Sequence, residues 1–262
     1  MTGSEEPPSF RLAYVPGVTP SKWVRIWNER LPDVPLTLTT LTAAEAPGVL
    51  RGRGADAGFV RLPIDRTGLS AIPLYTETTV VVVPKDHLFA AVEEVSAREL
   101  ADEIVLHPLD DTLDWECPPG RPAFERPATT EDAVELVAAG VGVLVVPQSL
   151  ARLYHRKDLT YRTVTDVPES RVALSWAEEE VAPDLVEEFI GIVRGRTVNS
   201  SRGRTPTPPQ PKQKRADKGA AQRGTAGKPS GGRAGKPAAK NTRGGSGAPK
   251  SGVKRGKPRG RK

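Results

Sequence analysis

The side chains that could carry out chemistry are few. Three histidines, His87, His107 and His155, stand on separate segments with no i, i+4 pair among them, and Cys117 is the only cysteine. A zinc site draws three or four His, Cys or carboxylate ligands from closely spaced positions, so no metal is expected. A single cysteine excludes an internal disulfide, and nothing beside Cys117 would activate its thiol. The acid runs Asp110-Asp111 and Glu178-Glu179-Glu180 read as solvated loop charge. A Gly-rich phosphate loop, a Gly-x-Ser-x-Gly elbow and a His-Glu-x-x-His helix are all missing. The expectation is a non-catalytic protein with no cofactor.

What the chain does carry is divided charge. Its 262 residues have a net charge of +6, but residues 199–262 hold 19 of the 38 Lys and Arg against one acid, Asp217, a net +18. The preceding residues keep 19 bases against 31 acids, a net −12. The basic stretch is Gly-, Pro-, Ala- and Ser-rich and has no aromatic residue. It cannot bury enough apolar surface to offset its chain entropy and is expected to be disordered. Its charge is densest at Lys254, Arg255, Lys257, Arg259, Arg261 and Lys262, the candidate nucleic-acid-binding residues. Pro258-Arg259-Gly260-Arg261 resembles the core of an AT-hook, the Arg-Gly-Arg ribbon that lies in an A·T minor groove; a generic polycation is the other reading. DNA, or RNA, is the expected partner of this tail through phosphate contacts. No stretch of about 18 apolar residues could span a membrane, and residues 1–8 lack a secretory pattern. The expected location is cytoplasmic, with nucleoid association through the tail.

The first 198 residues alternate strand-like and helix-like patterns, the mark of an α/β domain. Phe10–Val15 reads as a strand, and Thr19 with Pro20 as the cap and first residue of a helix on which Trp23, Ile26, Trp27 and Arg30 share a face. Leu36–Leu41 and Ala55–Val60 read as strands, with the capping box Thr42-Ala-Ala-Glu45 opening a helix between them. Ala71–Leu74 and Glu77–Val83 add β structure. Ser96-Ala-Arg-Glu99 predicts a second box with a short helix starting at Leu100, and Glu103–Leu106 a strand. Residues 110–127 predict an irregular loop. Thr129-Thr130 caps a helix ended by Gly140, Val141–Val146 is a buried strand, and Pro147 opens a helix carrying Leu150, Leu153 and Tyr154. Strands at Leu159–Val164 and Arg171–Trp176 precede a helix over Pro183–Arg194.

Three stretches carry a resemblance: Ala55-Asp-Ala-Gly-Phe-Val-Arg61, Thr78-Thr-Val-Val-Val-Val-Pro-Lys-Asp-His-Leu88, and Glu135-Leu-Val-Ala-Ala-Gly-Val-Gly-Val-Leu-Val-Val-Pro147. With the element order, they make residues 9 to 196 similar to the effector-binding domain of LysR-type transcription regulators. The resemblance implies an α/β fold of the type 2 periplasmic-binding-protein kind, two lobes joined by two crossover strands. Lobe one would comprise 9–83 and 168–196 and lobe two 84–167, flanked by a disordered N-terminus over 1–8 and the tail over 197–262. It also implies a small-molecule effector between the lobes, often a carboxylate. By position, the effector would meet Thr19 and Ser21 after strand one, Thr40 after strand two, Arg61 after strand three as a carboxylate partner, and Thr129, Thr130 and Val145 in lobe two. Thr19 and Thr129 are equally explained as helix caps, and Arg61 as a salt-bridge residue. A homodimer is implied, with the Trp23/Trp27 helix as candidate interface.

The family's winged helix-turn-helix is expected to be missing, because strand one begins near residue 9. The favoured reading is an effector-binding protein of transcription regulation held on DNA by its tail. The alternative is an architectural or nucleoid-associated protein whose globular part is a ligand-free scaffold.

Overall fold

The computed structural model describes residues 7–179 and 183–196. The tail residues named above, and nearly all of the expected N-terminal segment, lie outside them.

The chain enters on β1 (Phe10–Tyr14), passes through α1 (Ser21–Arg30) to β2 (Leu36–Thr40), and through α2 (Ala46–Arg51) to β3 (Ala57–Leu62) and β4 (Leu69–Glu77). β5 (Thr79–Pro84), β6 (Glu94–Ser96), β7 (Ile104–Leu106) and the two-residue β8 (Arg121–Pro122) follow. Then come α3 (Thr130–Ala138), β9 (Val143–Pro147), α4 (Gln148–Leu153), β10 (Leu159–Thr165), β11 (Ser170–Ala177) and α5 (Asp184–Val193). These make two sheets, β2-β1-β3-β11-β4 and β6-β10-β5-β9-β7-β8. β1 runs parallel to β2 and β3, while β11 closes the first sheet antiparallel between β3 and β4.

Each lobe has its own core. In lobe one, Phe10 stacks on Trp27 with ring centroids 4.5 Å apart, Trp23 stacks on Phe59 at 4.7 Å, and Phe189 of α5 tilts against Phe10, Trp27 and Phe59. The indole N–H of Trp27, fully buried, donates to the Val34 carbonyl at 2.9 Å. The helical spacing of Trp23, Ile26 and Trp27 thus serves the core of its own lobe, and the exposed α1 residues left for a partner are Ser21, Lys22, Arg25, Asn28 and Glu29. In lobe two, β5 is the axis. Val80 and Val82 face one cluster of buried residues, and Val81 and Val83 face the other, because successive strand side chains point to opposite faces. A strand covered on both faces reads as an unbroken apolar run.

Several boundaries differ from expectation. β5 pairs with β10 and β9 of the second sheet, so the chain changes lobes at Thr78 rather than after residue 83. A run of valines does not record which sheet hydrogen-bonds it. Helix α1 begins at Ser21 with Pro20 in the cap position, and Thr19 makes no capping bond. The Ser96–Glu99 box forms as expected but starts a single 3₁₀ turn over Ala97–Leu100, so Leu100 ends the turn instead of opening a helix. Val141 is exposed ahead of β9, and Leu153 is exposed at the end of α4.

Two crossovers join the lobes: Glu77 to Thr79, and residues 166–169 between β10 and β11. They are tied side by side by the Thr79 hydroxyl, which donates to the Pro168 carbonyl at 2.6 Å.

Candidate functional site: the cleft between the lobes

The registers Tyr14↔Thr40 and Tyr14↔Phe59 bring the carboxyl ends of three parallel strands together on the side facing lobe two. In open α/β sheets this is where ligands bind. Here it opens into a cleft of about 580 Å³ lined by Tyr14, Pro16, Gly17, Val18, Thr19 and Thr40 from lobe one, and by Ser149, Arg152, Leu153 and Tyr154 from α4 and its C-terminal cap in lobe two. That volume falls in the range typical of small-molecule sites.

The lobes touch at the hinge end of the cleft. Gly17 has φ +84°, and a Cβ there would lie 2.6 Å from the Ser149 hydroxyl and 2.9 Å from Arg61 Nη2. Glycine therefore serves both a left-handed backbone and a close approach of the lobes. Arg61 is the hub of this contact. Its Nη1 donates to the Glu77 carboxylate and, at 2.7 Å, to the Ser170 hydroxyl; its Nη2 donates to the Pro16 carbonyl and the Ser149 hydroxyl, both at 3.0 Å. The Arg61 and Glu77 side chains are 3% and 9% exposed. One guanidinium thus holds the β4 end of the first crossover, the start of β11 after the second, the loop after β1, and lobe two.

The expected site residues divide accordingly. Thr19 and Thr40 line the cleft. Ser21 faces instead a shallow groove of about 700 Å³ between α1 and β2, which Thr19 also borders. Arg61 lies behind the cleft wall, its guanidinium engaged by Glu77. Thr129 is the N-cap of α3: its hydroxyl accepts from the Asp132 N–H at 3.0 Å and donates to the Asp132 carboxylate at 2.8 Å. Thr130 is buried and donates to Asp110 at 2.9 Å. Val145 is buried opposite Val81 in β5, inside the lobe-two core. Neither threonine nor Val145 is among the residues lining the cleft.

Sequence reasoning passed over Tyr14, Ser149, Arg152 and Tyr154 as ligand groups. The available signal was that Pro147 starts a helix pointing away from a strand end, the usual site of polar ligand contacts. Burial, with Glu131 and Asp110 nearby, pushes the Tyr154 hydroxyl above its ordinary value of 10, so it remains a protonated donor at neutral pH. Arg152 is exposed and donates to the Tyr161 hydroxyl at 3.3 Å.

The histidines stay apart. His87 Nδ1 accepts from the Phe89 N–H at 3.2 Å, and His107 packs edge-on against Trp115. Burial lowers the His107 pKa and raises that of its neighbour Asp111, although Asp111 accepts from the Leu113 N–H and the Trp115 indole N–H. Cys117 is exposed on the long loop. Among the described residues no group of three or more His, Cys, Asp or Glu could hold a metal ion, and no helix is long and apolar enough to cross a membrane.

Two α/β lobes, two adjoining crossovers and a cleft at the hinge define a ligand-binding module of the periplasmic-binding-protein type 2 architecture. The chain belongs to the LysR substrate-binding domain family, whose model matches residues 4–197. It is 32% identical over 214 residues to a probable hydrogen peroxide-inducible genes activator of Mycobacterium avium, covering 76% of this chain and 68% of that protein. It is 25% identical to the Hca operon transcriptional activator HcaR of Escherichia coli, covering 72% and 65% of the two chains. The chain spans about two-thirds of the length of these relatives. Among solved structures, the BenM effector-binding domain with its effector benzoate superposes with a TM-score of 0.61 at 19% identity, covering 72% of this chain and 91% of that one. The oxidised form of OxyR gives 0.60 at 20% identity, covering 72% and 95%. At that identity the superpositions show the fold. The relatives are transcription regulators and not enzymes.

Proposed function

We propose that this chain is the small-molecule-sensing part of a transcription regulator and binds its effector in the cleft between the lobes. The observation that carries this is the 580 Å³ cleft at the carboxyl ends of β1 and β2, walled on the other side by α4, with hydroxyls of Thr19, Thr40, Ser149 and Tyr154 at hand. The BenM domain, which shares the fold, holds benzoate, an aromatic molecule small enough for such a space. The carboxylate expected of the effector loses the guanidinium on which it rested, because Arg61 already holds Glu77. An effector with hydroxyl or carbonyl groups on a partly apolar frame suits the lining. Thr129, Thr130 and Val145 then act as support for the lobe-two wall, and Thr19, Thr40 and Ser149 as the contact residues.

The +18 stretch over residues 199–262 supports a second element, DNA association by phosphate contacts through Lys254, Arg255, Lys257, Arg259, Arg261 and Lys262, with nucleoid localisation as its consequence. If about six phosphates are neutralised, affinity falls on the order of 10³-fold between 50 and 200 mM salt. Fluorescence anisotropy of a duplex, comparing the full chain with one ending at Thr197 across a salt series, tests this. Salt-insensitive binding, or binding retained by the shorter chain, rejects the tail as anchor. A metabolite panel scored by thermal shift on the full chain tests the cleft; saturable shifts abolished by Thr19→Trp support it, and shifts unaffected by that change reject it. A homodimer completes the reading, and sedimentation velocity of the full chain tests it.

A further inference from the structure

Behind the wall at the hinge end of the cleft lie a guanidinium and a carboxylate, both almost wholly buried, and their charges cancel. Resting on the cleft as the effector site, we propose that Glu77 is the specificity-determining residue of this chain: by occupying Arg61 it turns the cleft against carboxylates and toward uncharged ligands.

The argument is one of donors and charge. Arg61 makes four hydrogen bonds, to Glu77, Ser170, Pro16 and Ser149, out of the five N–H groups that a guanidinium has. To reach Arg61 past Pro16 and Ser149, a ligand carboxylate would have to displace Glu77 or lie beside it. Displacement strands a buried carboxylate, and co-residence places two like charges in a low-dielectric pocket; both are costly. The other cation on the lining, Arg152, is exposed and turned to Tyr161, so it is a solvated, screened charge. What remains at the cleft surface are neutral hydroxyls of Thr19, Thr40, Ser149 and Tyr154 and the apolar faces of Tyr14, Val18 and Leu153. Hydroxyls bond equally well to a ligand carbonyl, amide or alcohol.

Glu77 is the last residue of β4, where the chain leaves lobe one, and among the described residues its carboxylate is held by Arg61. Replacement by Gln keeps the shape and one acceptor while leaving the Arg61 charge without its counter-ion directly behind the Pro16–Ser149 wall. A carboxylate taken up there would gain a charge-assisted hydrogen bond, a difference on the order of 10- to 100-fold in affinity.

The test is calorimetric titration of the full chain with small carboxylic acids, each matched to its primary amide, from propionate and propionamide to cyclohexanecarboxylate and its amide. It uses wild type, Glu77→Gln and the double variant Arg61→Met/Glu77→Gln, with amide chemical shifts of Thr19, Thr40 and Ser149 locating the ligand. The expected result is amide over carboxylate for wild type, the reverse for Glu77→Gln, and loss of the carboxylate gain in the double variant. The double variant has neither buried charge, so it keeps the test informative if the single variant unfolds: it must then bind amides as wild type does and reject carboxylates. A wild type that prefers the carboxylates overturns the proposal. Amides that bind in the cleft with no carboxylate gain in Glu77→Gln overturn it while leaving the cleft as effector site. Shifts confined to residues outside the cleft, or no binding of either series by any variant, overturn both.

Discussion

Removing the Arg61 side chain while leaving Glu77 in place isolates the energetics of the hinge. In Arg61→Met the Glu77 carboxylate, 9% exposed in the folded protein, loses its Arg61 counter-charge, and the Ser149, Ser170 and Pro16 acceptors lose their donor. Breaking a buried ion pair from one side costs about 3–5 kcal/mol, whereas replacing both members by neutral groups of similar volume is close to neutral. Arg61→Met/Glu77→Gln is therefore expected to lie within about 1–2 kcal/mol of wild type. In a domain of this size each kcal/mol moves the melting temperature by about 2–4 °C, so the single variant melts roughly 10 °C lower and the double variant recovers most of the loss. Urea unfolding followed by tryptophan fluorescence measures both, and a cycle with Glu77→Gln gives the coupling. A cost below about 1 kcal/mol for Arg61→Met, or a double variant no better than the single, would refute the claim that the pair is buried and mutually dependent.

Other outcomes follow from the same geometry. Gly17→Ala places a Cβ against Ser149 and Arg61 in a left-handed backbone, and urea unfolding is expected to show a loss of at least about 1–2 kcal/mol from backbone strain alone; a neutral result means that the lobes do not meet there. Trp27→Ala empties the stack between Phe10 and Phe189 and is expected to cost about 3–5 kcal/mol, read by the same assay. Burial holds the His107 imidazole below its ordinary 6.5, so the folded state resists its protonation. The stability it contributes is full above that value and lost as pH falls through it toward the lowered folded value. His107→Asn should flatten the decline between pH 7.5 and 5.5, and an unchanged slope would assign the decline to other groups.

Local patterning was legible before any fold was known. The reciprocal bonds of Thr42 with Glu45 and of Ser96 with Glu99 both form, because the partners lie within one turn of chain, although α2 begins only at Ala46, with Glu45 rather than Thr42 in its cap position. Trp23, Ile26 and Trp27 face the core of lobe one for the same local reason. The site was only half legible. Thr19 stands in the loop after β1 and Thr40 at the end of β2, positions marked by their own neighbours. Ser149 and Tyr154 meet them only because α4 of lobe two lies across the cleft from those strand ends.

Arg61 shows where sequence stops. Its position at the end of β3 can be read from the chain, but its partners Glu77, Ser149 and Ser170 lie 16, 88 and 109 residues away. Whether an arginine awaits a ligand or is already paired depends on which carboxylate the sheets bring beside it. The sequence by itself determined the α/β class, the Ser96 and Thr129 caps, the two-faced burial of Val80–Val83 and the division of charge between the chain's two parts, all properties of neighbouring residues. The tertiary structure alone decided the lobe change at Thr78, the lining of the cleft and the pairing of Arg61 with Glu77, because hydrogen bonds between distant segments leave no period in the chain that makes them.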